Sequence, residues 1–186
     1  MKTQISSGIY KGKKLDLPSL NTTRSTKSLV KGSFFDTIRD ELRGAFFVEG
    51  FGGSGVMTCE AVSNGAKFGI AIEIDKEAFK LTKKNLNSLN AKNLEAINGD
   101  SFEILPKIIA DKSENFIIYL DPPFDFRDGF SGIYDRLMDL VKNFSKDNVK
   151  MVVFEHSSTF KMAENLGSFC LLKTRKFGAT SLSYYA

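Results

Sequence analysis

The sequence predicts an α/β fold in which a mostly parallel sheet is wound on both faces by helices. Three observations lead there. Short runs rich in apolar residues recur at 45–48, 68–72, 94–97, 116–120 and 149–154, as expected of strands in a buried parallel sheet. The stretches between them place apolar residues at helical spacing. Most of the runs also end in a carboxylate or a glycine: Glu49-Gly50, Glu73, Asn98-Gly99-Asp100, and Asp121. Strands alternating with helices imply right-handed crossovers, which bring those strand ends to one edge of the sheet.

Taken in order, residues 1–21 mix Lys11, Lys13 and Lys14 with Gly8, Gly12 and Pro18, and predict a short hairpin or extended arm. Val30, Phe34, Ile38 and Leu42 recur every four residues, so a helix is expected over 26–42. After the strand at 45–48 and a glycine loop, a helix should open near Gly55, run to Ser63 and end at Gly65. Asp75 is placed to cap a helix carrying Phe79, Thr82, Leu86 and Leu89 on its inner face. A further helix is expected over 102–110, and another marked by Ile133, Leu137, Val141 and Phe144. The alternating stretch 169–185, centred on Gly178, predicts an antiparallel hairpin. The organisation is a basic N-terminal segment, residues 1–43, followed by a single catalytic domain, residues 44–186.

The 186 residues carry a net charge of +4. Residues 1–47 hold nine Lys and Arg against four Asp and Glu, whereas the remainder is close to balanced. A basic segment on a neutral domain fits a phosphate-rich partner, and a smaller cluster stands at Lys173, Arg175 and Lys176. No apolar run approaches the ~20 residues needed to span a bilayer and no secretory leader is evident, so a cytoplasmic protein is expected. Cys59 and Cys170 are expected to be buried thiols. The single His156 cannot build a metal site and is expected to be structural, so no metal is predicted.

The loop after the first sheet strand reads Glu49-Gly50-Phe51-Gly52-Gly53-Ser54-Gly55. Its glycines allow close backbone approach to a ligand, and the helix that follows points N–H groups at it. It fits G-x-G-x-x-G with Glu73 about twenty residues on, as in dinucleotide folds. Glu49, however, would repel a pyrophosphate and suits a ligand carrying an ammonium and a sulfonium. S-adenosylmethionine is such a ligand. Glu73 and Ile74 at the next strand end would then meet its ribose, and Asp100 and Ser101 its adenine.

Residues 116–120 deliver Asp121-Pro122-Pro123-Phe124 to the same edge. Pro cannot donate to a ladder and biases the residue before it away from helix. The corner therefore offers a carboxylate, backbone carbonyls and an aromatic face, parts suited to a flat base held by its exocyclic amine.

With these motifs in place the chain resembles the bacterial 16S rRNA guanine-N2 methyltransferases of the small ribosomal subunit, over nearly its whole length. Gly8-Ile9-Tyr10-Lys11-Gly12-Lys13-Lys14-Leu15 is similar to that family's G-x-x-K-G-x-x-L opening. Arg24-Ser25-Thr26, Val30-Lys31 and Phe35 resemble its first helix, and Phe51-Gly52-Gly53-Ser54-Gly55 its F-A-G-S-G loop. Asp121-Pro122-Pro123-Phe124 resembles its D-P-P-[YF], Glu155-His156-Ser157 its E-H-S, and residues 175–185 its closing motif. Ser25, Leu29 and Glu49-Gly50 depart from the family's usual Pro, Arg and Asp-Leu.

The resemblance implies a Rossmann-like methyltransferase that uses S-adenosylmethionine to modify a guanine N2 amine in 16S rRNA, within a small-subunit particle and as a monomer. It implies catalysis by Asp121, Pro122, Pro123 and Phe124, and RNA contacts from Lys11, Lys13, Lys14, Arg24 and Lys31. Methylation of an adenine N6 amine in DNA or in another RNA uses the same corner. A nicotinamide-dependent oxidoreductase and an RNA-binding module with an inactive cofactor fold are the remaining alternatives.

Overall fold

The structure, a computed structural model, describes residues 1–18, 24–111, 113–124 and 129–186. Two short strands, β1 (Lys2–Gln4) and β2 (Lys14–Asp16), form an antiparallel hairpin. Helices α1 (Arg24–Thr37) and α2 (Arg39–Leu42) follow, then β3 (Phe46–Glu49), α3 (Val56–Ser63), β4 (Phe68–Glu73), α4 (Lys76–Ser88), β5 (Leu94–Asn98), α5 (Ser101–Asp111) and β6 (Phe116–Leu120). The chain closes with α6 (Ile133–Val141), β7 (Val149–Ser157), β8 (Asn165–Leu166), β9 (Phe169–Phe177) and β10 (Thr180–Tyr185).

The main sheet has eight strands in the order β5-β4-β3-β6-β7-β10-β9-β8. The first five are parallel, and β10 and β9 return antiparallel as the hairpin read around Gly178. After β3 the chain runs to β4 on one side, while β6 joins on the other. That reversal opens a crevice beyond the carboxyl ends of β3 and β6.

Side-chain alternation divides the sheet into two apolar faces. Phe46, Val48, Ile118, Leu120, Val152 and Phe154 pack with Leu105 and Ile109 of α5 and with Tyr134, Leu137 and Val141 of α6. Phe47, Ile117, Tyr119, Val153 and Tyr184 face Val30, Phe34, Phe35 and Ile38. Phe34 is fully buried and meets Tyr119 edge-on at 4.8 Å. Burying such a ring stabilises by roughly 1.5–3 kcal/mol, which fixes α1 over the crevice.

The N-terminal hairpin is not a free arm. Ile5 and Leu15 are buried with Cys59, Ala71 and Leu86. Glu60 on α3 accepts from Ser6 N at 2.8 and 2.9 Å, and pairs with Lys31 at 2.9 Å. Gly8 sits so close to Ser63 that an added Cβ would lie 1.8 Å from its carbonyl oxygen.

Several boundaries differ from the sequence reading. The first helix breaks at Ile38, whose buried side chain continues the apolar stripe across the break, so periodicity alone could not reveal it. Phe144 is buried but lies beyond the end of α6. Cys59 is buried as expected, whereas Cys170 is exposed. It faces outward on β9, close to the sheet edge, where alternation puts half of the side chains in water. His156 is structural: Nδ1 donates to the Ser157 carbonyl and Nε2 accepts from Ser183, both at 2.8 Å. Burial holds its pKa below the usual value.

Replacing Lys31 by Met would leave Glu60 buried without its cation. Removing one partner of a buried pair costs about 3–5 kcal/mol, and urea denaturation should show a loss of that size. A loss under about 1 kcal/mol would mean that the ion pair adds little to the apolar and hydrogen-bonded contacts that hold the hairpin.

Candidate active site

The glycine loop owes its shape to local backbone demands and to α4. Gly53 and Gly55 have φ of +50° and +69°, a region that favours glycine. A Cβ on Gly55 would also meet Leu86 at 2.5 Å. Gly52 N donates to the Ile72 carbonyl at 2.7 Å, and Gly50 N to the Tyr119 carbonyl at 2.9 Å, so the loop is pinned to both neighbouring strands. Thr82 Oγ1 donates to the Gly53 carbonyl at 3.1 Å and Asn85 Nδ2 to the Ser54 carbonyl at 2.8 Å. The hydroxyl of Ser101 donates to the Gly50 carbonyl.

Beside this loop is a cavity of about 260 Å³. Glu49, Phe51, Gly52, Gly53, Ser54 and Asp121 line it, together with Tyr119 and Glu155. Its outer wall is N-terminal: Met1, Leu17, Pro18, Val30 and Lys31. The segment before the first sheet strand thus closes the same cavity that the sheet edge opens.

Glu49 is buried, and Oε2 accepts from Thr58 N at 3.0 Å and from its hydroxyl at 2.6 Å. Burial raises its pKa to about 7, against the opposing effect of the Thr58 hydrogen bonds. A cation in the cavity would favour the ionised form, so the site fits an ammonium-bearing ligand. Glu73 holds the loop: Oε2 accepts from Gly53 N at 2.7 Å and Oε1 from Asp75 N at 2.8 Å. Asp75 caps α4 by accepting from Ala78 N at 2.8 Å. Asp100 accepts from Phe102 N at 2.9 Å and so starts α5. Ile74, at the end of β4, is 63% exposed. An apolar side chain presented there is suited to the flat face of a base.

Asp121 and Pro122 follow β6 directly; Pro122 is buried, and Asp121, Pro123 and Phe124 are half-buried. Phe124 leans on the core face that holds α5 and α6. Tyr119 donates from its hydroxyl to Glu155 Oε2. Burial, and next the charge of Glu155, push the phenol pKa well above its usual value.

The residues expected to meet RNA divide. Lys11, Lys13 and Lys14 are exposed on the hairpin turn and its second strand. Arg24 opens α1, and its side chain lies outside the described residues. Lys31 is a correction: only 8% exposed, it pairs with Glu60 and donates to the Gln4 carbonyl at 3.2 Å, so it cannot reach a phosphate at the surface. Its charge suggested a contact in the sequence; burial between α1 and α3 decided otherwise. Arg175 is exposed and donates to Ser33 at 3.0 Å.

Sequence reasoning missed Thr58, Thr82 and Asn85 as loop supports, Tyr119 and Glu155 in the cavity, and the N-terminal wall. Spacing could have found Tyr119, since residues two apart on a strand share a face and it stands two before Asp121. The others become neighbours only by tertiary packing.

A family model described as conserved hypothetical protein 95 matches residues 3–186. Ribosomal RNA small subunit methyltransferase D of Haemophilus influenzae is 27% identical over 188 residues, which cover 99% of this chain and 93% of that one. The yhhF protein of Escherichia coli superposes with a TM-score of 0.78 at 22% identity, covering 100% of this chain and 97% of that chain. An RNA methyltransferase from Salinibacter ruber, solved with S-adenosyl-L-homocysteine, superposes with a TM-score of 0.55 at 18% identity, covering 89% and 92%. At these identities the two superpositions establish the fold.

The raised pKa of Glu49 makes ligand binding pH-dependent. Below about pH 7 the empty site holds a neutral carboxyl, which must lose its proton to pair with an ammonium. Calorimetry with S-adenosylhomocysteine should show affinity rising by up to about tenfold per pH unit below 7 and levelling off above it. Glu49→Gln should bind more weakly with a flat profile between pH 5.5 and 8. Binding of NAD tighter than that of S-adenosylhomocysteine would contradict this assignment of the cavity.

Proposed function

The chain belongs to the family described as conserved hypothetical protein 95, and from that premise we propose that it methylates the exocyclic N2 amine of one guanine in small-subunit ribosomal RNA. It is an S-adenosylmethionine-dependent RNA methyltransferase with an α/β Rossmann-like fold. The observation that carries the finer reading is that Glu49 and Asp121, on adjacent strand ends, line one cavity.

Glu49 would hold the ammonium of the cofactor, the loop from Phe51 to Ser54 its backbone-facing side, and Glu73, Ile74 and Asp100 its nucleoside end. When bound, S-adenosylmethionine supplies a methyl on a sulfonium, whose transfer leaves a neutral thioether while the accepting amine loses one proton. The chain's own part is positioning, which can be worth several kcal/mol of barrier. The target base leaves its stack, and one face rests on Phe124. Asp121 and the Pro122 carbonyl accept from its amine, which withdraws the nitrogen lone pair from conjugation and turns it toward the methyl. Asp121 or water takes the proton.

The hairpin residues Lys11, Lys13 and Lys14, with Lys173, Arg175 and Lys176 on β9, would hold phosphates. The substrate is 16S rRNA within a small-subunit particle, and the enzyme acts as a cytoplasmic monomer. Adenine N6 methylation stays the competing reading, because the corner at Asp121 accepts from either amine.

Mass spectrometry of small-subunit rRNA nucleosides from cells lacking the protein should show loss of one N2-methylguanosine; loss of N6-methyladenosine instead would select the competitor. Asp121→Ala should lower turnover on that RNA by on the order of 10²–10³. Phe124→Ala, which removes a stacking face worth ~1–3 kcal/mol, should lower it by up to about a hundredfold. Wild-type turnover in both variants would place the active site elsewhere.

Replacing Lys11, Lys13 and Lys14 together by Ala should flatten the salt dependence of RNA binding, by roughly 0.7–0.9 in slope for every phosphate that the turn no longer neutralises. S-adenosylhomocysteine affinity should stay unchanged. An unchanged slope in filter binding would mean that the turn is merely solvated.

A further inference from the structure

We propose that Lys31, on the N-terminal wall of the cavity, holds the carboxylate of the cofactor's amino-acid end, while Glu49 holds its ammonium from the sheet edge. This rests on the assignment of the cavity to S-adenosylmethionine and adds the residue that would read its second charge.

The packing of α1 brings Lys31 to the level of Glu49. Phe34 lies against Phe47 at 6.0 Å and against Tyr119 at 4.8 Å. Glu49 stands two residues past Phe47 and so on the same side of β3. Lys31 stands three residues before Phe34, close to one helical turn. Both residues line the cavity, Lys31 beside Val30, Leu17 and Pro18. Among the described lining residues it carries the only cationic side chain, against the acidic Glu49, Asp121 and Glu155.

The ammonium is anchored and still has a proton to give. Of its three N–H groups, one pairs with Glu60 at 2.9 Å and one donates to the Gln4 carbonyl at 3.2 Å. Among the described residues the third has no acceptor, so a ligand can take it. Glu60 is itself fixed by Ser6 N at 2.8 and 2.9 Å, so the ammonium is held in place at the wall.

The glycine loop, by contrast, has spent most of its amides. Gly50 N donates to Tyr119, Gly52 N to Ile72 and Gly55 N to Gly52, all at carbonyls, and Gly53 N donates to Glu73. A carboxylate that enters a buried acidic cavity needs a compensating cation, and a charge-assisted hydrogen bond from Lys31 supplies it. A buried ion pair gains little stability over apolar residues of similar volume. Clamping the hairpin to α3 therefore does not by itself call for a cation at the cavity wall. A clamp alone would also leave the choice between ligands untouched.

Decarboxylated S-adenosylmethionine separates the two roles, because it keeps the sulfonium, the ammonium and the nucleoside and lacks only the carboxylate. In calorimetry the wild-type protein should bind S-adenosylmethionine more tightly than this analogue by about ten- to a hundredfold, the worth of one hydrogen bond to a charged group. Lys31→Met should bring the two ligands to within about threefold, by weakening S-adenosylmethionine while the analogue keeps its affinity. Combining it with Glu60→Gln removes the buried charge left without its cation, and this double variant should lose the preference equally. A folded double variant, judged by near-ultraviolet circular dichroism, that keeps the wild-type preference overturns the proposal. So does one that loses affinity for both ligands alike, and so does a wild-type protein that does not distinguish them. Should Lys31→Met alone fail to fold, the double variant decides. A wild-type protein that binds neither ligand would instead overturn the cofactor assignment, and this proposal with it.

Discussion

The parallel pairing of β3, β6 and β7 is the constraint on which the site depends. Glu49 stands opposite Tyr119, and Tyr119 opposite Val153. Because side chains alternate with a period of two, that register puts Glu49, Tyr119, Asp121 and Glu155 on one face at one edge. A slip of one residue in β6 would turn Tyr119 and Asp121 into the opposite core and bring Leu120 into the cavity. The fully buried aliphatic and aromatic residues of β6 hold the register, since each belongs to one of two well-packed faces. The apolar core thus fixes where the polar chemistry lies.

Concentrating carboxylates at a buried edge has an electrostatic cost, which the fold offsets locally. Glu49 draws two hydrogen bonds from Thr58 in the first turn of α3, where the helix dipole also favours negative charge. Glu155 accepts a hydrogen bond from the Tyr119 hydroxyl, and Glu73 accepts from two backbone N–H groups. The Thr58 bonds only partly compensate Glu49, whose pKa stays raised to about 7. A cationic ligand would complete that compensation.

The N-terminal segment has two faces with different duties. Its inner side, through Leu17, Val30 and Lys31, closes the cavity, while its turn presents exposed lysines. The Lys31–Glu60 pair joins this segment to α3, the helix that starts at the glycine loop. The turn is thereby mechanically continuous with the wall of the cavity.

The sequence by itself determined the alternation of strands and helices, the position of the glycine loop and the stop at Asp121-Pro122. These rest on local rules: residue periodicity, the φ freedom of glycine and the missing donor of proline act within a few residues. It also supplied the acidic strand ends and the helix cap at Asp75. It could not show that Lys31 is an internal cation, that Cys170 faces water, or that Thr82 and Asn85 hold a loop some thirty residues earlier. Nor could it show that Glu155 shares a cavity with Glu49. Those facts depend on contacts between distant segments, and only the packed sheet, with α1 and the hairpin laid across its carboxyl edge, decides which polar groups meet.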